Sequence, residues 1–163
     1  AVTLVDCLLV GNGTNGRGGG LYGAGTVTGS TFVQNGANEG SSIFVSFEAK
    51  LNIDNSIIWG TDLKPISDFG ELGPATIVVS YSNIKNGYAG VGNLNVNPGF
   101  VDDGSYRLAA GSACIDAGSA ALLPLDELDL DRDGNFAEPL PVDLVGSVRV
   151  LGSAPDMGAR ESF

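Results

Sequence analysis

Apolar and small residues recur along this chain at spacings of two, three and two. Val2, Leu4, Cys7 and Leu9 set the pattern, and Gly25, Val27, Ser30 and Phe32 repeat it 23 residues later. Leu51, Ile53, Ser56 and Ile58 follow after 26 more residues, and Ile77, Val79, Ser82 and Ile84 after another 26. Aligned as columns, the four copies place apolar over apolar, with Gly25 in the first column and Phe32 in the last, and Cys over three Ser. A fixed period in this range marks a stacked repeat, because one unit cannot bury its apolar face until its neighbours cover it.

A spacing of two is strand alternation. The spacing of three therefore inserts one extra residue, at Asp6, Gly29, Asn55 or Tyr81, and predicts a corner between two short strands. A third strand per coil is predicted at residues 19–22, 42–45 and 93–96. Turn residues fall between, at Gly11-Asn12-Gly13, Asn35-Gly36 and Asn86-Gly87. The reading is an all-β parallel β-helix of about four coils over residues 1–96. An irregular segment, 97–163, is expected to cap the last coil within the same domain.

Composition suits many short strands and tight corners: 25 of 163 residues are Gly, 43% are hydrophobic and only 17% are charged. The net charge is −11, with no histidine and a pI near 4.1. Nucleic acid and anionic membrane surfaces need Lys and Arg clusters, so both are poor partners and neither nucleic-acid binding nor membrane insertion is expected, while cations and neutral glycans remain. No apolar run approaches the roughly 20 residues of a membrane span. Cys7 and Cys114 form no metal or redox spacing, and each is expected as a buried free thiol.

Ala1 leads directly into column residue Val2 without a polar cap. The first coil is therefore expected to present an apolar, unpaired end, to be covered by upstream coils or by another copy of the chain. Residues 61–75, with two prolines and two glycines, read as a loop where the third strand of that coil would run. Trp59, Phe69, Tyr81 and Tyr88 lie near it and are expected either to pack or to line a sugar-binding surface.

Beyond Asn86 the repeat fades. The strings Tyr81-Ser82-Asn83-Ile84, Asn97-Pro98-Gly99-Phe100-Val101-Asp102, Ser112-Ala113-Cys114-Ile115-Asp116-Ala117-Gly118, Asp131-Arg132-Asp133-Gly134-Asn135 and Pro155-Asp156-Met157-Gly158-Ala159-Arg160-Glu161 follow in order. This series resembles the C-terminal end of secreted bacterial right-handed β-helix proteins of the pectate-lyase-like superfamily, the type called choice-of-anchor Q. Gly18-Gly19-Gly20-Leu21 and Phe32-Val33-Gln34-Asn35 are similar to repeats of polymorphic outer-membrane proteins. The resemblance implies a right-handed helix, secretion or display on a bacterial surface, and no particular activity, since the superfamily includes lyases, hydrolases, adhesins and stalks. Arg160 stands where the family usually has an aromatic, and residues 136–147 look like an insertion. Asp116 and Asp156 are expected to accept backbone N–H groups at turns.

Asp129, Asp131, Asp133 and Gly134 form a D-x-D-x-D-G run, with carboxylates at alternate positions around a Gly turn, as an oxygen-seeking Ca²⁺ requires. An EF-hand-type loop would place Glu at position 140, which is Leu140; Glu138 and Asp143 lie nearby but off register. A solvated acidic turn is the competing reading.

No catalytic residue is assigned. The outward positions of the repeats offer Asp6, Lys50, Asp54 and Lys85 singly, without a column of acids or bases, and mechanisms that need histidine are excluded. The expected function is a non-catalytic extracellular or cell-surface module, structural or adhesive, that closes a larger β-helix and contacts extracellular glycan. Two alternatives stand beside it: the C-terminal portion of a polysaccharide lyase or glycoside hydrolase with its active site on upstream coils, and a subunit that stacks through its first coil.

Overall fold

A computed structural model describes residues 1–60 and 64–162. The strands are β1 (Val2–Val5), β2 (Leu8–Val10), β3 (Leu21–Gly23), β4 (Gly25–Thr28), β5 (Thr31–Val33), β6 (Ile43–Val45), β7 (Lys50–Asp54), β8 (Ile57–Trp59), β9 (Ile66–Ser67), β10 (Thr76–Ser80) and β11 (Asn83–Ile84). They form three parallel walls, β1-β4-β7-β10, β2-β5-β8-β11 and β3-β6-β9. The protein is a parallel β-helix of about three turns, with a fourth rung on two of its walls.

The register matches the sequence columns: Leu4 pairs with Val27, Val27 with Ile53, and Ile53 with Val79. Leu9, Phe32, Ile58 and Ile84 stack likewise on the second wall. Val27, Phe32, Ile43, Leu51, Ile53, Ile58 and Ile84 are all fully buried and form one core column. Burying each such side chain contributes about 1.5–3 kcal/mol.

The extra residue of each unit is the corner between the first two walls, and it takes a left-handed backbone in every copy: φ is 46° at Asp6, 56° at Gly29, 50° at Asn55 and 46° at Tyr81. Small side chains after the corner build a hydrogen-bonded ladder along the axis. Ser30 Oγ accepts from the Cys7 N–H at 3.1 Å, Ser56 Oγ from the Ser30 N–H at 3.1 Å, and Ser82 Oγ from the Ser56 N–H at 3.0 Å. Each of these hydroxyls donates in turn to the carbonyl two residues before it. At the top Asn93 replaces the hydroxyl: its Oδ1 accepts from the Ser82 N–H and its Nδ2 donates to the Val79 carbonyl.

Two strand expectations need correction. The stretch expected as a loop at 61–75 contains β9, which completes the third wall on β6, and a 3₁₀ turn at Gly70–Leu72; residues 61–63 of that reading lie outside the described residues. Residues 93–96 are not a third-wall strand. Leu94 bridges Asn83 on the second wall, because the chain returns to the ladder 11 residues after Ser82 instead of completing a coil.

The tail does not sit on the last coil alone. It runs along the outside of the corner and second wall, touching every rung. Cys114 and Val96 meet Asn83; Ser119 and Gly158 meet Asn55; Ala159 meets Thr31; Arg149 meets Asp6. Ile57 faces outward into a second apolar cluster with Leu108, Cys114 and Met157. Asn55 and Asn83 act as substitute backbone, each exchanging two hydrogen bonds with one residue, Ser119 of the tail and Val96 just before it respectively. No helix of the described residues is long and apolar enough to cross a membrane.

Candidate functional site

Ionisable groups gather where the tail meets the first coil and in the acidic loop that the tail projects. At the first location Arg149 is completely buried. Its Nε lies 3.3 Å from Asp6 Oδ1, its Nη1 bonds Glu161, and its Nη2 donates to the Gly158 carbonyl at 3.0 Å. The corner geometry makes room for this: a Cβ on Gly29 would collide with Asp6 and crowd the guanidinium.

Asp6, Glu161 and Asp156 feel that single cation, Asp143 stands close enough to act on Asp6, and the backbone supplies donors to both oxygens of Asp143 and Asp156. Asp143 accepts from Val145, Ser147 and Glu161, and Asp156 accepts from Asp116 and Ser162, as expected for Asp156 at a turn. Asp116 likewise accepts from Ser153. Asp6 has no hydrogen-bond donor on either oxygen, so its contact with Arg149 is one of charge without alignment. Burial pushes the Asp6 carboxyl up to about 7, outweighing the pull of Arg149, and Asp143 adds to the rise. Burial also pushes Glu161 up to about 7 against Arg149. The cluster therefore holds protons near neutrality and joins the two ends of the sequence.

The acidic loop is the turn of a short antiparallel ladder. Asp126 N–H donates to the Glu138 carbonyl at 2.9 Å, Leu140 N–H to the Pro124 carbonyl at 2.8 Å, and Leu125 bridges Pro139. This pairing brings Glu138 over Asp126, and one carboxylate oxygen from each of Asp126, Asp131 and Glu138 lies within 4.8 Å of the others. A second triad, Asp129, Asp131 and Asp133, satisfies the same distance, so the three residues singled out from sequence do converge. Asp129 takes the Gly134 N–H, Asp131 the Asp133 N–H and Asp133 the Asn135 N–H, which are turn bonds that need no ion.

The two triads differ in burial. Asp131 and Asp133 are exposed, whereas Asp126 is 1% exposed and its Oδ1 is enclosed without a donor, as is Glu138 Oε1. An enclosed acceptor without a partner costs about 1–3 kcal/mol, and more when charged. Burial raises Glu138, and the carboxylates of Asp133, Asp131 and Asp126 add to the shift. Leu140, at the position an EF-hand gives to Glu, is buried, and Asp143 belongs to the Arg149 cluster.

A cleft of about 790 Å³ lies between these two groups, lined by Thr3, Val5 and Asp6 from β1 and its corner and by Leu125, Asp126 and Leu128 from the tail. The four aromatics named from sequence are not gathered into one surface. Tyr88 packs on the core column, Trp59 and Tyr81 pack on the tail cluster, and Phe69 stands edge-on to Phe44 beneath the Arg17 guanidinium. Cys7 and Cys114 are free; Cys114 is buried, Cys7 is half-buried, and burial raises both thiols.

Asp126, Arg149 and Glu161 escaped the sequence reading. An arginine set in the mostly apolar stretch 140–151, whose other charge is Asp143, is the signal that could have found Arg149, since a charge buried among apolar residues needs partners. No protein-family model, curated protein or solved structure matches the chain.

Proposed function

We propose that this chain is a non-catalytic structural or adhesive module of an extracellular or cell-surface β-helix. The observation that carries this reading is the use made of charge. The buried ionisable cluster of Arg149 with Asp6 and Glu161 is tied up in holding the tail to the coils. The outward rungs of the first wall are instead Thr3, Thr26, Asn52 and Val78, and Val5, Thr28, Asp54 and Ser80. Glycoside hydrolysis takes two facing carboxylates, and lyase chemistry takes a base beside a bound uronate. A face of hydroxyls, an amide and valines, with Lys50 and Asp54 as its isolated charges, suits passive contact with neutral glycan.

The order of tail motifs, similar to that of secreted bacterial β-helix proteins of the pectate-lyase-like, choice-of-anchor Q type, supports the extracellular placement. The test is incubation with polygalacturonate and a panel of neutral glycans, following unsaturated and reducing ends. No product is expected; turnover that survives repurification establishes the lyase or hydrolase alternative.

The first coil favours a second reading that is compatible with the first. Leu4, Cys7 and Leu9 are half-buried, whereas Val27, Ser30 and Phe32 directly above them are buried. Further coils or a second copy stacked on this end would complete the column. Sedimentation across a wide concentration range tests the second copy, and a constant monomer mass removes it.

A further inference from the structure

We propose that Asp126, Asp131 and Glu138 form a Ca²⁺ site, with the enclosed carboxylate of Asp126 as its inner ligand. This site is set deeper than the exposed D-x-D-x-D-G triad and shares only Asp131 with it. Two oxygens on one Ca²⁺, each at 2.3–2.6 Å, stand at most about 5 Å apart, and the three carboxylates meet that limit at 4.8 Å.

Hydrogen bonds hold one oxygen on each residue: Asp126 Oδ2 takes the Leu130 N–H, Asp131 Oδ1 the Asp133 N–H, and Glu138 Oε2 the Asn135 amide. Such bonds orient ligands from the second shell. The remaining oxygens of Asp126 and Glu138 are shut off from solvent with no donor, which points to a cation in a way that an exposed acidic turn does not. None of the ion pairs among the described residues reaches these three carboxylates. An all-oxygen set without nitrogen or sulfur selects a hard cation, and a site built from several side-chain carboxylates, where Mg²⁺ usually keeps its waters and takes one or two, suits Ca²⁺ over Mg²⁺. Bound there, the ion would clamp the loop 127–137 to the ladder beneath it.

The experiment is calorimetric titration of Ca²⁺, and separately Mg²⁺, into the full chain after metal has been stripped with EDTA and the chelator removed. Saturable Ca²⁺ binding is expected within the range of extracellular modules, about 0.1–1 mM, with Mg²⁺ weaker. Asp126→Asn and Glu138→Gln are each expected to weaken binding by about tenfold or more, as loss of one charged ligand should. Asp129→Asn, which belongs only to the exposed triad, should leave the affinity unchanged. Should Asp126→Asn fail to fold, Glu138→Gln decides, since that side chain is only partly buried. As a second readout, trypsin should cut after the exposed Arg132 more slowly with Ca²⁺ present, and this protection should vanish in Glu138→Gln. Absence of binding at about 5 mM Ca²⁺, or binding lost in Asp129→Asn but kept in Glu138→Gln, overturns the assignment.

Discussion

Arg149 Nε lies 3.3 Å from Asp6 Oδ1, so the corner of the first coil is fastened to a segment almost a whole chain length away. Because Arg149 is the cation for both Asp6 and Glu161, its removal leaves two buried carboxyls without a counter-charge, each of which must take up a proton or stay charged unpaired. Arg149→Met should lower stability by about 3–5 kcal/mol, the usual cost of breaking a buried pair from one side. Arg149→Lys should recover only part of it, since an ammonium cannot serve Asp6, Glu161 and the Gly158 carbonyl at once. Urea denaturation of the three proteins measures both effects.

The same cluster makes stability depend on pH in an uncommon direction. Asp6 and Glu161 have native values near 7 and ordinary values of 3.8 and 4.5, so the folded protein binds their protons more tightly than the unfolded chain. Their contribution is fully present below about pH 4 and is lost as pH rises through 7. Denaturation midpoints should therefore climb as pH falls from 8 towards 5. Asp6→Asn should flatten the climb, and an unchanged slope in that variant would refute the assignment of Asp6.

Ser56 occupies the middle of the hydroxyl ladder, accepting from Ser30 and donating to the Asp54 carbonyl. Ser56→Ala leaves the buried Ser30 N–H without a partner and should cost about 1–3 kcal/mol. Ser56→Cys should cost less, because Cys7 already fills this column in the first coil with its thiol donating to the Val5 carbonyl. Thermal melts of the two variants rank them directly.

Gly29 is the one corner residue without a side chain. Its φ of 56° disfavours an L residue by about 1–2 kcal/mol, and a Cβ would meet Asp6 and the Arg149 guanidinium. Gly29→Ala is thus expected to lose more than the backbone penalty alone, through separation of the ion pair. Combined with Asp6→Ala, which opens that space, the two losses should fall short of their sum.

The stacking of coils was legible because it rests on short-range geometry. Alternation at two, a corner at three and a Ser in each unit are local demands, repeated often enough to expose their period. β9 was hidden because a two-residue strand after Pro65 has no room to show alternation. Asn93 was hidden because an amide took the place of a hydroxyl after a shortened return. The acidic site was half legible for a related reason. Asp129, Asp131 and Asp133 share one turn, but Asp126 and Glu138 meet only through the ladder that joins 124–126 to 138–140.

A column of identical rungs has no intrinsic length, since one more 26-residue coil would satisfy the same register and the same hydroxyl ladder. The tail removes that freedom. It makes a separate bond at each level, from Asn83 through Asn55 and Thr31 down to Asp6. A duplicated coil would carry Asp6 about 4.8 Å away from Arg149, the distance between neighbouring strands. The strap along the side thus works as a ruler, fixing the number of rungs between Asp6 and Asn83 that the stack alone would leave open.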